Sequence, residues 1–205
     1  MTAKCDMCQP LPAKAQAIVD AASRLFLQNG YGQTSMDAIA QEAGVAKQTL
    51  YSHFENKEDL IKAIVTRRCS AIADTLNSPE SVSNVEKALL KLAEHMTTIL
   101  MKPESLNLYR LVVAESPRLP SLGETFFESG PNTGIGRLAA FLQTAHDKGT
   151  LDVPNPTLAA QYFFGMLMQY PHMQSLLLGK LPAPAELEAR RKETVQAFLK
   201  MFTKA

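Results

Sequence analysis

Three adjacent side chains, Lys47, Gln48 and Thr49, carry the chemistry needed to read the edge of a base pair. A glutamine amide pairs bidentately with adenine, a lysine ammonium reaches guanine, and a threonine methyl meets the methyl of thymine. Around this trio stand groups suited to a phosphate backbone, whose contacts set register without reading sequence. They are Thr34 and Ser35 upstream, Tyr51 and His53 just downstream, and Lys57 beyond. Residues 33–54, QTSMDAIAQEAGVAKQTLYSHF, must hold all of these at once. Two short helices joined at Gly44-Val45 do so as a helix-turn-helix, whose second helix enters the major groove. Ala40 is small where the helices cross, Gly44 takes the backbone angle of the sharp turn, and Val45 fills the angle between them.

A second constellation is soft and apolar. Met96, Tyr109, Arg110, Phe127, Phe163, Met166 and Tyr170 combine thioethers and rings with an occasional polar group. As a set they suit a pocket for a hydrophobic or aromatic small molecule; singly, each is also an ordinary core residue. Cys5-x-x-Cys8 with the distant Cys69 lacks the fourth ligand and matched spacing of a structural zinc site, so no metal or cofactor is expected. Catalysis is not expected either. The chain has no G-x-S-x-G elbow, no H-E-x-x-H and no G-K-[ST] loop, and the run Gly130, Gly134, Gly136 reads as a helix-entry loop without a preceding strand.

Lys plus Arg number 21 against 20 for Asp plus Glu, a net charge of +1, which excludes binding nucleic acid by bulk charge. Any such contact is local. Residues 1–68 carry eight basic and seven acidic side chains, so Asp37, Glu42, Glu58 and Asp59 must cap helices or face away from phosphate. No formal charge occurs between Asp152 and Lys180, yet three prolines, three glutamines and an asparagine interrupt that stretch, unlike the roughly 20 predominantly apolar residues of a membrane span. It reads as a buried helix that a partner subunit helps to cover. With no apolar leader at the start and few cysteines, the expected location is cytoplasmic.

The elements follow from periodicity and punctuation. Residues 1–12 form a loose tail ending in Pro10 and Pro12. Ile18, Ala22, Leu25 and Phe26 mark a first helix stopped at Asn29-Gly30. Thr34 with Asp37 resembles a capping box for the second helix, and the third runs from Lys47 to about Phe54. Asn56 caps a fourth, with Glu58 and Asp59 in its first turn. Longer amphipathic stretches follow at roughly 81–101, 104–115, 119–129, 133–148, 155–178 and 184–203, with Pro171 expected to kink or break its helix. No alternating run signals a strand. The expected fold is all-α: a helix-turn-helix DNA-binding domain over 13–58, a connecting helix over 59–77, and a helical ligand-binding and dimerisation domain over 78–205.

From about Lys14 to Leu60 the chain resembles the DNA-binding domain of TetR/AcrR-family bacterial transcriptional regulators. Tyr31, Thr34, Ala40, Gly44, Val45, Thr49, Leu50, Tyr51, Phe54 and Lys57 match that motif in order and spacing; Ala46 departs from it where many members place a capping serine. Residues 106–131, LNLYRLVVAESPRLPSLGETFFESGP, are similar to the C-terminal domain of the AefR-like branch. The resemblance implies a homodimer whose last two long helices meet their copies, binding a near-palindromic double-stranded DNA operator as a repressor and released by a small-molecule inducer. The apolar stripe Leu187, Val195, Phe198, Leu199 and Phe202 is expected to contribute to that interface. A transcriptional activator of the same fold, or a helical ligand-binding or interaction protein without a DNA role, are the alternatives.

Overall fold

A computed structural model describes residues 11–73, 76 and 84–203. All regular structure among the described residues is helical. The order is α1 (Ala13–Asn29), α2 (Met36–Glu42), α3 (Lys47–His53), α4 (Lys57–Ala73), α5 (Val85–Leu100), α6 (Pro103–Glu115), α7 (Pro120–Phe127), α8 (Thr133–Asp147), α9 (Pro156–Leu178) and α10 (Pro184–Phe202). A π-helical turn, Glu128–Asn132, joins α7 to α8 without a break, so the expected glycine loop is instead continuous helix. Gly130 is buried in that turn, and a β-carbon there would lie 2.9 Å from Val65 Cγ1. Close packing on α4 therefore explains a glycine that the sequence suggested was loop punctuation.

The chain forms two compact units, the first comprising residues up to 70 with 107–130 and the second 71–106 with 131–205. The stretch 107–130 thus lies in one compact unit with the N-terminal helices. Its apolar residues Leu108, Val112 and Leu122 are buried in one cluster with Ile18, Phe26, Ile39, Leu50, Leu60 and Ile64. Burying a side chain of this size contributes about 1.5–3 kcal/mol, which is what ties the segment to that core.

In the second unit α8 packs on α9, and α10 packs on α5 and α9. Leu89, Leu92, Met96, Leu138, Phe141, Phe163, Leu167, Val195 and Phe198 fill its core. Thr97 is buried, and its hydroxyl oxygen accepts a 2.7 Å hydrogen bond from Arg191 Nε, joining α5 to α10 through a satisfied polar pair. Helix α9 runs unbroken through Pro171. A mid-helix proline costs about 3 kcal/mol, but Phe163, Leu167, Met168 and Pro171 itself are buried, and that packing offsets the lost hydrogen bond. No helix among the described residues is long and apolar enough to cross a membrane. The proposed Cys5–Cys8 tail lies outside the described residues, and Cys69 is half-buried against the first unit's core.

Candidate nucleic-acid interface

The helix-turn-helix is built from three local devices. Gly30 ends α1 with φ +83° and ψ 157°, and its N–H donates to Phe26 O at 3.1 Å. This is a backbone region that only glycine occupies readily. Gly44 makes the turn between α2 and α3 at φ +65°, and the Val45 N–H closes it on Ala40 O at 3.0 Å. Ser35, not Thr34, caps α2: its Oγ accepts from the Ala38 N–H at 3.1 Å. Ala46 begins α3 in extended geometry without any side-chain cap, as its methyl requires. Asn56 Oδ1 accepts from the Asp59 N–H at 2.9 Å, and Asp59 Oδ2 accepts from the Glu55 N–H at 3.0 Å, so α4 starts from a reciprocal cap.

Leu50 is fully buried and Phe54 nearly so, which fixes one side of α3 to the core and turns the other outward. Lys47 and Gln48 are exposed, Thr49 is half-buried, and Tyr51 is 51% exposed, unusual for a large ring. His53 is exposed at the end of the helix, and Ser35 is exposed at the start of α2 with its hydroxyl proton still able to donate. Six of the eight residues singled out in the sequence therefore share the outward side of α2 and α3 or its edge. The other two, Thr34 and Lys57, make contacts within the fold.

Thr34 is only 3% exposed, and its hydroxyl lies 2.8 Å from Gly30 O and 3.2 Å from Leu25 O. Its single proton serves carbonyls inside the α1–α2 turn, so its side chain braces that turn and has no proton left for phosphate. Lys57 is half-buried: its Nζ donates to Tyr31 O at 2.6 Å and sits 4.4 Å from the centre of the Tyr31 ring. Burial lowers its pKa, while the charges of Glu58 and Glu115 act to raise it. The Tyr31 hydroxyl is buried without a hydrogen bond of standard geometry, and burial, with the Glu58 charge second, holds its pKa well above the usual value of 10.0. The Tyr31 ring also packs on Phe26, 5.1 Å between centroids.

Of the four acids, Asp59 caps a helix as expected, whereas Asp37 pairs with a lysine on the outward side of α3. Asp37 Oδ2 lies 2.5 Å from Lys47 Nζ, Glu42 takes Arg24 at 2.9 Å, Asp59 caps α4 and Glu58 adjoins Tyr31. The Asp37–Lys47 and Arg24–Glu42 pairs are the features that sequence reasoning missed. Their partners lie 10 and 18 residues apart on different helices, beyond the i,i+4 spacing that a sequence reveals.

The seven ligand-binding candidates divide between the units. Tyr109, Arg110 and Phe127 belong to the first, where Tyr109 meets Phe126 edge-on at 5.9 Å and Arg110 reaches Asn107 at 2.7 Å. Met96, Phe163, Met166 and Tyr170 belong to the second. Met96 and Phe163 are wholly buried, Phe163 stacking edge-on to Phe198 at 5.3 Å, whereas Tyr170 is exposed with Arg190 over its ring at 5.8 Å. Of the α10 stripe, Val195 and Phe198 lie in the second unit's core, Leu199 and Phe202 pack against it, and Leu187 is half-buried outside that cluster. Six of the exposed large apolar side chains sit on α9, at Leu158, Tyr162, Tyr170, Met173, Leu177 and Leu178, and Met201 is exposed on α10. No group of His, Cys, Asp and Glu among the described residues is arranged to hold a metal ion.

An all-helical chain with an outward-facing helix-turn-helix belongs to the class of DNA-binding regulators. Residues 18–64 match the model of bacterial regulatory proteins of the tetR family, and residues 87–204 match the C-terminal domain of AefR-like transcriptional repressors. The chain belongs to the TetR family of transcriptional regulators, in its AefR-like branch. It is 34% identical to a TetR-family regulator of known structure from Mesorhizobium loti, with a TM-score of 0.76, covering 93% of this chain and 97% of that one. It is 31% identical to the flavonoid-responsive regulator FrrA at a TM-score of 0.74, with the same coverage. The Bacillus subtilis HTH-type transcriptional regulator YvkB is 27% identical over 156 residues, 75% of this chain and 78% of that protein. Regulators of this family bind DNA as dimers, respond to small-molecule ligands and are not normally enzymes.

Proposed function

We propose that this regulator is a cytoplasmic, one-component repressor that binds a near-palindromic operator as a homodimer and is released by a hydrophobic or aromatic small molecule. The observation that carries this reading is the outward side of α3, where Lys47, Gln48 and Tyr51 are exposed while Leu50 and Phe54 anchor the helix. Gln48 and Lys47 read base edges with the Thr49 methyl beside them, and Ser35, Tyr51 and His53 hold phosphates. A twofold dimer spaces two such helices by about 34–36 Å, one turn of B-DNA, and the operator symmetry follows. The exposed apolar row on α9, from Leu158 to Leu178, supports pairing through that helix, because side chains of this size are seldom left so open on a monomer.

The inducer reading draws on the soft side chains Met96, Phe163, Met166 and Tyr170 within the second unit. The likeness to a regulator described as flavonoid-responsive supports an aromatic effector. An effector that favours the non-binding conformation by about 1–3 kcal/mol lowers operator affinity 5- to 150-fold. The test is a gel-shift titration on the region upstream of the protein's own gene, with and without a flavonoid panel. Retarded dimer–duplex complex that a flavonoid releases supports the reading; absence of any preferred duplex refutes its DNA half, and saturating flavonoid without effect on affinity refutes its effector half.

A further inference from the structure

Residues 33–54 contain only two acids, Asp37 and Glu42, and the fold disposes them differently. Glu42 Oε1 accepts from Nε and Nη2 of Arg24, at 3.2 and 2.9 Å, and so ties the end of α2 back to α1. Asp37 turns the other way. From the first turn of α2 its Oδ2 lies 2.5 Å from Nζ of Lys47, which opens α3 and is a base-reading candidate. Both side chains are open to solvent, 56% for Asp37 and 65% for Lys47. An ion pair so exposed adds little to stability, and a carboxylate beside the reading helix repels every phosphate that approaches it. Neither stability nor general affinity for DNA explains an acid at this place.

We infer that Asp37 is a specificity-determining residue, and that Asp37 and Lys47 together read one G·C base pair as a unit. Lys47 offers donors, since an ammonium keeps two N–H groups beyond the one turned to Asp37. Beside it, Asp37 Oδ1 is an acceptor without a hydrogen bond among the described residues. The major-groove edge of G·C shows the reverse pattern: guanine O6 and N7 accept, and the cytosine N4 amine donates. O6 and N4 are themselves hydrogen-bonded, so they stand about 2.9 Å apart, a spacing that a donor and an acceptor 2.5 Å apart can face. An A·T pair places a single acceptor on either side of its N6 amine, so the lysine loses its two-acceptor partner there. On unrelated DNA the carboxylate meets phosphates and base acceptors, and by neutralising Lys47 it also removes that cation's share of counterion release. The charge of Asp37 therefore weakens binding to all DNA and is compensated only where an amine faces it. The assignment rests on the DNA-binding reading above, and adds to it a residue outside α3 and the base pair it selects.

Two measurements on the full-length protein test this. In the first, wild type, Asp37→Ala and Lys47→Met each select duplexes from a random pool, and each is then titrated against the wild-type selected duplex and an unrelated one from about 50 to 300 mM salt. Both variants are expected to relax the same symmetry-related G·C position. Asp37→Ala should also bind the unrelated duplex more tightly, with a salt slope steeper by about one, so that its preference for the selected duplex falls about tenfold. In the second, the cytosine at that position is replaced by N4-methylcytosine, which keeps the base pair and removes the amine proton that faces the groove. Wild-type affinity should fall about tenfold, and that of Asp37→Ala should stay unchanged. Equal strengthening of both duplexes by Asp37→Ala, relaxation of different positions by the two variants, or a methylated duplex that wild type binds as before overturns the inference. If a variant does not fold, the methylated duplex decides alone. If wild type selects no duplex, the DNA-binding reading fails and the inference with it; a selected repeat that Asp37→Ala leaves unaltered sinks the inference alone.

Discussion

Substituting Gly44 separates backbone strain from packing in the turn that aims α3. Its φ of +65° lies in the left-handed region, and a β-carbon built there meets nothing within 4 Å. Gly44→Ala therefore creates no clash and charges the fold only for the conformation, about 1–2 kcal/mol for an L-residue. Alanine also restricts the unfolded chain, returning about 0.4–1 kcal/mol, so the net loss is near 1 kcal/mol. For a chain of this length that lowers the midpoint by about 2–4 °C. Asparagine tolerates the left-handed region, so Gly44→Asn should fall between glycine and alanine. Gly130 supplies the contrast: there the 2.9 Å approach to Val65 Cγ1 makes size decisive, and asparagine should be worse than alanine. Calorimetry on the four variants reads the ranking directly. Equal stability of glycine and alanine at position 44, or the same order of residues at both positions, would refute the reasoning.

Other outcomes follow from the same geometry. Ala46→Ser gives α3 the missing cap and should raise stability by about 0.5–1 kcal/mol in urea titration, because the backbone already has cap geometry. Asp37→Asn frees Lys47 and should strengthen binding to unrelated DNA and steepen its salt dependence, with less than about 1 kcal/mol change in stability, since both partners are exposed. Tyr31 has a pKa raised by burial, so the folded state holds its proton longer than the unfolded state. The associated stability is whole below the ordinary value of 10.0 and is lost as pH climbs above it. Tyr31→Phe, which removes the titrating hydroxyl, should stay within about 1.5 kcal/mol of wild type at neutral pH and lose less stability in urea melts above pH 10.

The reading domain was legible because its devices are local. Gly30, Gly44 and Asn56 act within a few residues of where they stand, and the spacing of Leu50 and Phe54 states which side of α3 is inward. The cap of α2 slipped by one residue for a reason that sequence does not carry: Thr34 and Ser35 both offer a hydroxyl, and only the packing of the α1–α2 turn decides which one is buried. The position of Lys57 over Tyr31 was not legible because it depends on a contact 26 residues away. The apolar half was legible as helices but not as sites. Val195 and Phe198 read as part of an interface stripe, and the three-dimensional arrangement buries them in the second unit's core. Pro171 likewise signals a break from local chemistry alone, and burial along α9 outweighs it.

Selecting bound duplexes from a random pool, with wild-type protein and with Gln48→Ala side by side, measures the reading surface itself. Wild type should enrich an inverted repeat whose half-sites lie about one helical turn apart or a multiple of it. Gln48→Ala should recover the same repeat with preference lost at one symmetry-related pair of positions, a change of about 1–3 kcal/mol there. A pool without any enriched repeat, or an unaltered repeat for the variant, would contradict the assignment of α3 as the helix that reads DNA.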